Sequence, residues 1–203
     1  MGGRIERLLR VIAGSEKGRR LKSVAGERTR PALAQVRAAA FNIAQSLVPR
    51  SRFLDLFAGT GAYAIEALSR GASTATLVEI SVEAIAVIKH NLRTCGFEGR
   101  STLVHADVLK AVERLAGQGE QYDIIMVAPP YFRGLGPRTM ERIAALGLLE
   151  PNGMCFVQHH EKEDIGSEFG DLAMLKRYSY GSNLLSLFRR KDQAPPPVAP
   201  PVE

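Results

Sequence analysis

The feature that most constrains this chain is a change of rhythm after Arg50. From there, strand-like runs alternate with helix-like ones. Phe53 to Phe57 leads to a helix over Ala62 to Ser69, and Thr74 to Glu79 to one over Val82 to Thr94. Thr102 to His105 leads to a helix over Val108 to Ala116, Asp123 to Val127 to one over Pro137 to Leu148, and Met154 to Gln158 follows as a strand. Parallel strands need a crossover between them, usually a helix, so this alternation predicts a mostly parallel sheet covered on both faces. The rhythm breaks at the end. Leu172 to Tyr180 and Leu184 to Phe188 follow each other without a helix, which predicts an antiparallel edge. The fold class is therefore α/β.

The first fifty residues follow another pattern. Residues 8–13 (LLRVIA) read as a strand, Gly14 to Gly18 as a turn, and Arg19 to Val24 as a returning strand. Leu33, Val36, Ala40, Phe41, Ile43, Ala44 and Leu47 then recur at helical spacing up to Pro49. The net charge of the chain is +6. Residues 1–50 carry 11 Lys+Arg against 3 Asp+Glu, a net +8, and the remainder carries 16 against 18, a net −2. All the excess positive charge thus sits in the first quarter, as an anion-gripping surface or as a solvated face. The last ten residues, APPPVAPPVE, read as a disordered tail. The organisation expected is a basic hairpin and helix over 1–50, a Rossmann-like domain over 51–191 and a Pro-rich tail over 192–203.

Four motifs stand at the expected carboxyl ends of strands, where open α/β sheets bind ligands. The first is D-L-F-A-G-T-G, Asp55 to Gly61. Its glycines permit a sharp turn and close approach to a ligand, and the helix that follows presents free N–H groups. Alone, it also fits an ordinary βα loop. The second is Glu79, one βαβ unit further on, where an acidic residue accepts from ribose hydroxyls. The third is A-D-V at Ala106 to Val108. Asp107 suits an adenine amine and equally an N-cap. The fourth is V-A-P-P-Y, Val127 to Tyr131, a rigid loop ending in a π-face on which a base can stack.

In this order the motifs resemble class I S-adenosylmethionine-dependent methyltransferases that act on amines. The N-terminal R-V-I-A-G-x-x-K-G-R-x-L (Arg10 to Leu21), T-R-P and V-R-x-A-x-F-N (Thr29 to Asn42), with Y-G-S at Tyr180 to Ser182, resemble the RsmD family of guanine-N2 methyltransferases of small-subunit (16S) ribosomal RNA. The resemblance spans Arg10 to Arg190. It implies that Asp55, Ala58, Gly59 and Gly61 surround the methionine part of S-adenosylmethionine. Glu79 and Ile80 then hold the ribose side, Asp107 and Val108 the adenine, and the segment from Arg30 to Asn42 covers the methionine end. Ala128, Pro129, Pro130 and Tyr131 form the catalytic loop. Arg10, Lys17, Arg19, Arg20 and Arg28 grip RNA phosphates.

One position departs from the family pattern. Its loop usually opens with Asp, Asn or Ser, whose side chain accepts from the amine being methylated, and here the residue is Ala128. Only the carbonyls of Ala128 and Pro129 remain as acceptors, so slow turnover is expected. Two other readings stay open: a cofactor- and RNA-binding protein with a decayed loop, and an amino-methyltransferase acting on DNA adenine or a protein amide. No run approaches the roughly 20 apolar residues of a membrane span. Cys95, Cys155 and the four histidines lack ligand spacing, so no metal is expected. The N-terminus lacks the pattern of a secretory signal, and a cytoplasmic protein with reduced thiols is expected.

Overall fold

The computed structural model describes residues 9–24 and 31–193, with side chains from residue 33 onward in the second stretch. Arg28, Arg30 and the tail from residue 194 lie outside the described residues. The elements in chain order are α1 (Pro31–Ile43), β1 (Arg52–Leu56), α2 (Ala62–Ser69), β2 (Thr74–Glu79), α3 (Val82–Thr94), a 3₁₀ turn (Glu98–Arg100) and β3 (Ser101–His105). Then come α4 (Val108–Gly117), β4 (Tyr122–Val127), α5 (Leu135–Leu146), β5 (Leu149–His160), β6 (Glu168–Phe169), β7 (Leu172–Tyr180) and β8 (Asn183–Arg190). The strands form one sheet in the order β3-β2-β1-β4-β5-β8-β7-β6. The first five are parallel, and β8, β7 and β6 extend the sheet antiparallel.

Helices cover both faces, so the central strands are apolar on both sides. On one face Phe53, Leu77, Met126 and Phe156 pack with Val36 and Phe41 of α1, Ile65 and Leu68 of α2, and Ile88 of α3. On the other, Leu54, Val78, Ile125 and Val157 pack with Val112 of α4 and Ile143 of α5. Each such side chain contributes about 1.5–3 kcal/mol on full burial. Helix starts follow local chemistry. The Ser81 hydroxyl accepts from Ala84 N–H at 3.3 Å at the start of α3, and Asp107 caps α4.

Three elements differ from the sequence reading. β5 starts at Leu149 rather than Met154. Its partner register shifts between Tyr122 and Ile124, which absorbs Pro151. Helix α5 begins and ends two residues earlier than expected, closing on Gly147 at φ 64°. The two N-terminal strands reduce to one antiparallel bridge, Arg10 with Arg20.

The reason for that reduction lies in α2. The fully buried carboxylate of Glu66 accepts from Ile12 N–H at 2.8 Å and Ala13 N–H at 2.9 Å. Ser69 takes the next turn: Ser15 N–H donates to its carbonyl at 2.9 Å and Glu16 N–H to its hydroxyl at 3.0 Å. Leu9 and Val11 still bond across the hairpin, with Leu21 N–H donating to the Leu9 carbonyl at 2.9 Å and Val11 N–H to the Arg19 carbonyl at 3.0 Å, and from Ile12 onward the first arm bonds to α2. A Cβ at Gly14 would lie 1.9 Å from the Ser69 carbonyl oxygen, so only glycine permits this approach. Val11 and Leu21 join the same core as α1 and α2.

Candidate active site

The sheet order reverses between β1 and β4, and the sequence motifs gather at the carboxyl ends of β3, β2, β1 and β4. After β1 the chain passes through left-handed conformations at Phe57, Gly59 and Gly61 (φ 66°, 56° and 74°). This shape of the loop is held by Glu79. Its Oε2 accepts from Gly59 N–H, and its Oε1 accepts from Ile80 and Ser81 N–H, all at 2.8 Å. One carboxylate thereby joins the glycine loop to the β2–α3 turn. A Cβ at Gly59 would meet nothing within 4 Å, so the backbone there borders open space. Ala58 is buried and donates its N–H to the Val78 carbonyl at 3.0 Å.

Beneath the loop lies Asp55, fully buried. Its Oδ2 accepts from Ala64 N–H at 3.1 Å, and its Oδ1 has no partner among the described residues. Burial, and secondarily the charge of Glu79, push its carboxyl up to about 8 against the Ala64 bond. An orphaned buried oxygen, a glycine loop open to solvent and a half-buried carboxylate outside any described ion pair fit a cofactor that carries a cationic end and ribose hydroxyls. Asp107 accepts from Leu109 N–H at 3.0 Å and Lys110 N–H at 3.3 Å, so its capping role is occupied. Val108 is buried below it and Ile80 is 62% exposed beside Glu79. Asn42 is exposed on α1.

The V-A-P-P-Y loop leaves β4 beside this space. Ala128 N–H donates to the Leu56 carbonyl at 3.2 Å, Pro129 is buried and Pro130 exposed. The hydroxyl of Tyr131 is fixed as firmly as its ring. It donates to Asn183 Oδ1 at 2.6 Å and accepts from Gln158 Nε2 at 3.0 Å, while Tyr63 donates to Gln158 Oε1 at 2.7 Å. The Tyr131 ring meets His160 edge-on at 5.8 Å, and His160 meets Phe132 at 5.0 Å. Phe132 is 63% exposed at φ 60°, a costly conformation for a bulky residue, held by its N–H donating to Glu163 Oε1 at 2.7 Å.

Sequence reasoning missed Tyr63, Gln158, Asn183, Phe132 and also Asn91. Asn91 is fully buried on α3. Its Oδ1 accepts from Lys22 N–H at 2.7 Å, and its Nδ2 donates to Lys22 O at 3.0 Å and Thr60 O at 2.9 Å. It ties the hairpin's second arm to the glycine loop. On the hairpin, Arg10, Lys17, Arg19 and Arg20 are exposed. Arg19 pairs with Glu16 at 2.9 Å, and Arg10 donates to the Gly18 carbonyl at 2.9 Å. Among the described residues, no three His, Cys, Asp or Glu side chains gather as a metal site.

Known proteins are similar to this one over about nine-tenths of the chain. A Bacillus subtilis (strain 168) relative, "Putative rRNA methyltransferase YlbH", is 32% identical over 183 residues, covering 90% of this chain and 100% of its own length. The Escherichia coli (strain K12) ribosomal RNA small subunit methyltransferase D is 29% identical over 185 residues, covering 91% of each chain. The solved structure of a hypothetical protein from Thermus thermophilus superposes with a TM-score of 0.78 at 32% identity, covering 90% of this chain and 99% of that one. The eight-strand mixed sheet with antiparallel carboxyl-terminal strands is thus a shared one. The family model described as conserved hypothetical protein 95 matches residues 9–189, and the chain belongs to that family.

Proposed function

We propose that this protein transfers a methyl group from S-adenosylmethionine to the exocyclic N2 of a guanine in small-subunit ribosomal RNA. The observation that carries the reading is the facing of two loops across the reversal of strand order: a carboxylate-held glycine loop and a Pro-Pro-Tyr loop. The chain also aligns over 90% and 91% of its length with proteins named as rRNA methyltransferases. Among the described residues no helix is long and apolar enough to cross a membrane.

Asp55, Ala58, Gly59 and Gly61 would hold the methionine part of the cofactor, Glu79 and Ile80 the ribose side, and Asp107 and Val108 the adenine. When bound, the cofactor would supply a methyl group on a positively charged sulfur, for transfer to the amine nitrogen with loss of one amine proton. The leaving group needs no further activation, so the protein's share is alignment. Pro129 and Pro130 fix the loop, Tyr131 receives the splayed-out base, and the exposed cations of residues 10–20 meet phosphates.

The test is to incubate the protein with small-subunit RNA, with assembling particles and with DNA, separately, in the presence of labelled cofactor, and to map modified bases by mass. Label on guanine N2 of the RNA is the expected result. Label on DNA adenine alone would transfer the reading to another substrate. Binding of cofactor and RNA without transfer would leave the decayed-loop alternative.

A further inference from the structure

The loop that should hold the amine opens with Ala128, which has no side-chain acceptor. The neighbouring strand offers one. β4 and β5 are parallel, with Met126 opposite Phe156 and Val127 opposite Val157. One residue further, Gln158 stands beside Ala128. Side chains alternate along a strand, so Gln158 shares the face of Phe156 and Met154, the same face that Ala128 packs against. A primary amide sits in the row next to the methyl group, on the side where the glycine loop and α2 lie.

Gln158 is 8% exposed, and its amide is oriented from two directions by Tyr63 and Tyr131. An amide oxygen accepts two hydrogen bonds and an amide nitrogen donates two. The bonds from Tyr63 and to Tyr131 use one of each. Oε1 therefore keeps one acceptor position, rigidly aimed because both tyrosine hydroxyls are themselves placed by packing. An acceptor of this kind, buried beside the catalytic loop, suits an exocyclic amine.

We propose that Gln158 Oε1 takes an N–H of the amine to be methylated, supplying from β5 the hydrogen bond that residue 128 does not provide. The inference rests on the methyl-transfer reading. Gln158 is then a catalytic residue, and Tyr63 and Asn183 are positioning residues that act through Gln158 and Tyr131. Turnover in this chain is accordingly not penalised by Ala128, and Ala128→Asn alone brings little gain.

The amine contact is read without turnover by two RNA hexamers that differ at one central nucleotide, guanosine in one and inosine, which lacks the amine, in the other. The parent should prefer guanosine by about tenfold, the worth of one desolvated hydrogen bond. Gln158→Met keeps the length and removes the amide, and should bind both hexamers alike with cofactor affinity unchanged. Adding Ala128→Asn to it should restore the preference. Gln158→Glu, the second variant should Met prevent folding, keeps an acceptor oxygen at the same reach and should keep the preference. A folded Gln158→Met protein that still prefers guanosine overturns the inference, as does a folded Gln158→Glu protein that has lost the preference. A parent that methylates guanine N2 but shows no preference overturns the inference and leaves the function standing. A parent that prefers guanosine but transfers no methyl overturns the function and leaves the amine site.

Discussion

Two glutamates belong to the first βαβ unit, Glu66 on α2 and Glu79 at the end of β2, and both use a carboxylate to gather backbone N–H groups. Glu66 collects Ile12 and Ala13, and Glu79 collects Gly59, Ile80 and Ser81. Their surroundings differ. Glu66 is fully buried and meets two cations, Arg70 Nε at 2.8 Å and Arg37 Nε at 3.8 Å. Glu79 is half-buried and, among the described residues, has no ion pair. The first is a closed knot that fixes the hairpin to the domain. The second holds a loop in shape while its carboxylate still borders solvent. The same chemistry serves architecture where charge is neutralised inside, and ligand binding where it is left to be completed from outside.

The sharpest break of this contrast is Glu66→Ala. It leaves Arg37, whose guanidinium burial already pushes its ionisation down, without a counter-charge, and it orphans two N–H groups. Removing one partner of a buried pair costs about 3–5 kcal/mol. Thermal and denaturant melts should show that loss. A melt unchanged from the parent would dismiss the knot.

Asp55 extends the contrast to a third carboxylate, buried like Glu66 but, among the described residues, in no ion pair. Its carboxyl stands up to about 8, so the fold holds a proton that the unfolded chain has lost. Native protein therefore binds more protons between about pH 4 and pH 8, and this group's contribution to stability falls as pH rises through that window. Asp55→Asn keeps the shape and removes the titration. Near pH 4 it should match the parent. Its advantage should widen up to about pH 8 and then level off, on the order of one to a few kcal/mol. Denaturant melts of both proteins from pH 4 to 9 read the difference. A constant gap would mean that Asp55 is ionised in the fold throughout.

Glu79→Ala comes next. It removes the acceptor proposed for ribose hydroxyls and loosens the glycine loop, and should weaken S-adenosylmethionine by about 1–3 kcal/mol, roughly ten- to hundredfold. The melt should move far less than for Glu66→Ala, because Glu79 leaves its N–H partners close to water. Calorimetry and a melt on the same sample decide. Equal losses of stability would erase the distinction between the two glutamates.

How far these roles were legible follows from how they are built. The cofactor end is contiguous: a glycine turn, one acid at a strand end, one cap. Each lies within a few residues of a strand terminus, and periodicity locates strand termini. Glu79's backbone partners were hidden because N–H groups carry no sequence signature. The amine end is assembled from Tyr63, Ala128, Tyr131, Gln158 and Asn183, and no local spacing links them. A signal did exist for Gln158, since Met154, Phe156 and Gln158 alternate and place an amide on an apolar face. The run M-C-F-V-Q-H-H reads as a strand that ends there, whereas β5 continues to His160. Glu66 was similarly marked as the lone charge within A-Y-A-I-E-A-L-S, but its backbone N–H partners lie more than fifty residues upstream. The hairpin's turn stands where the sequence puts it, but its arms pair over a shorter length, because from Ile12 onward a helix takes the hydrogen bonds expected of a second strand.

The smallest effect belongs to the surface that the Glu66 knot presents. Lys17, Arg19 and Arg20 are exposed, so single substitutions there should leave the melt and cofactor affinity unchanged. Each phosphate that a variant no longer grips should flatten the plot of log affinity against log salt by about 0.7 for single-stranded RNA. The three residues are not equivalent. Arg19 already meets Glu16 through a hydrogen bond from Nε and an ion pair from a terminal nitrogen, both at 2.9 Å, so part of its charge is spent within the hairpin. Lys17→Ala and Arg20→Ala should therefore each flatten the slope more than Arg19→Ala. Glu16→Gln should steepen it, by freeing Arg19 for phosphate. A slope that none of these four changes alters would make the hairpin a solvated face, and the RNA-gripping surface would have to be sought on the other exposed arginines, beginning with Arg133 beside Phe132.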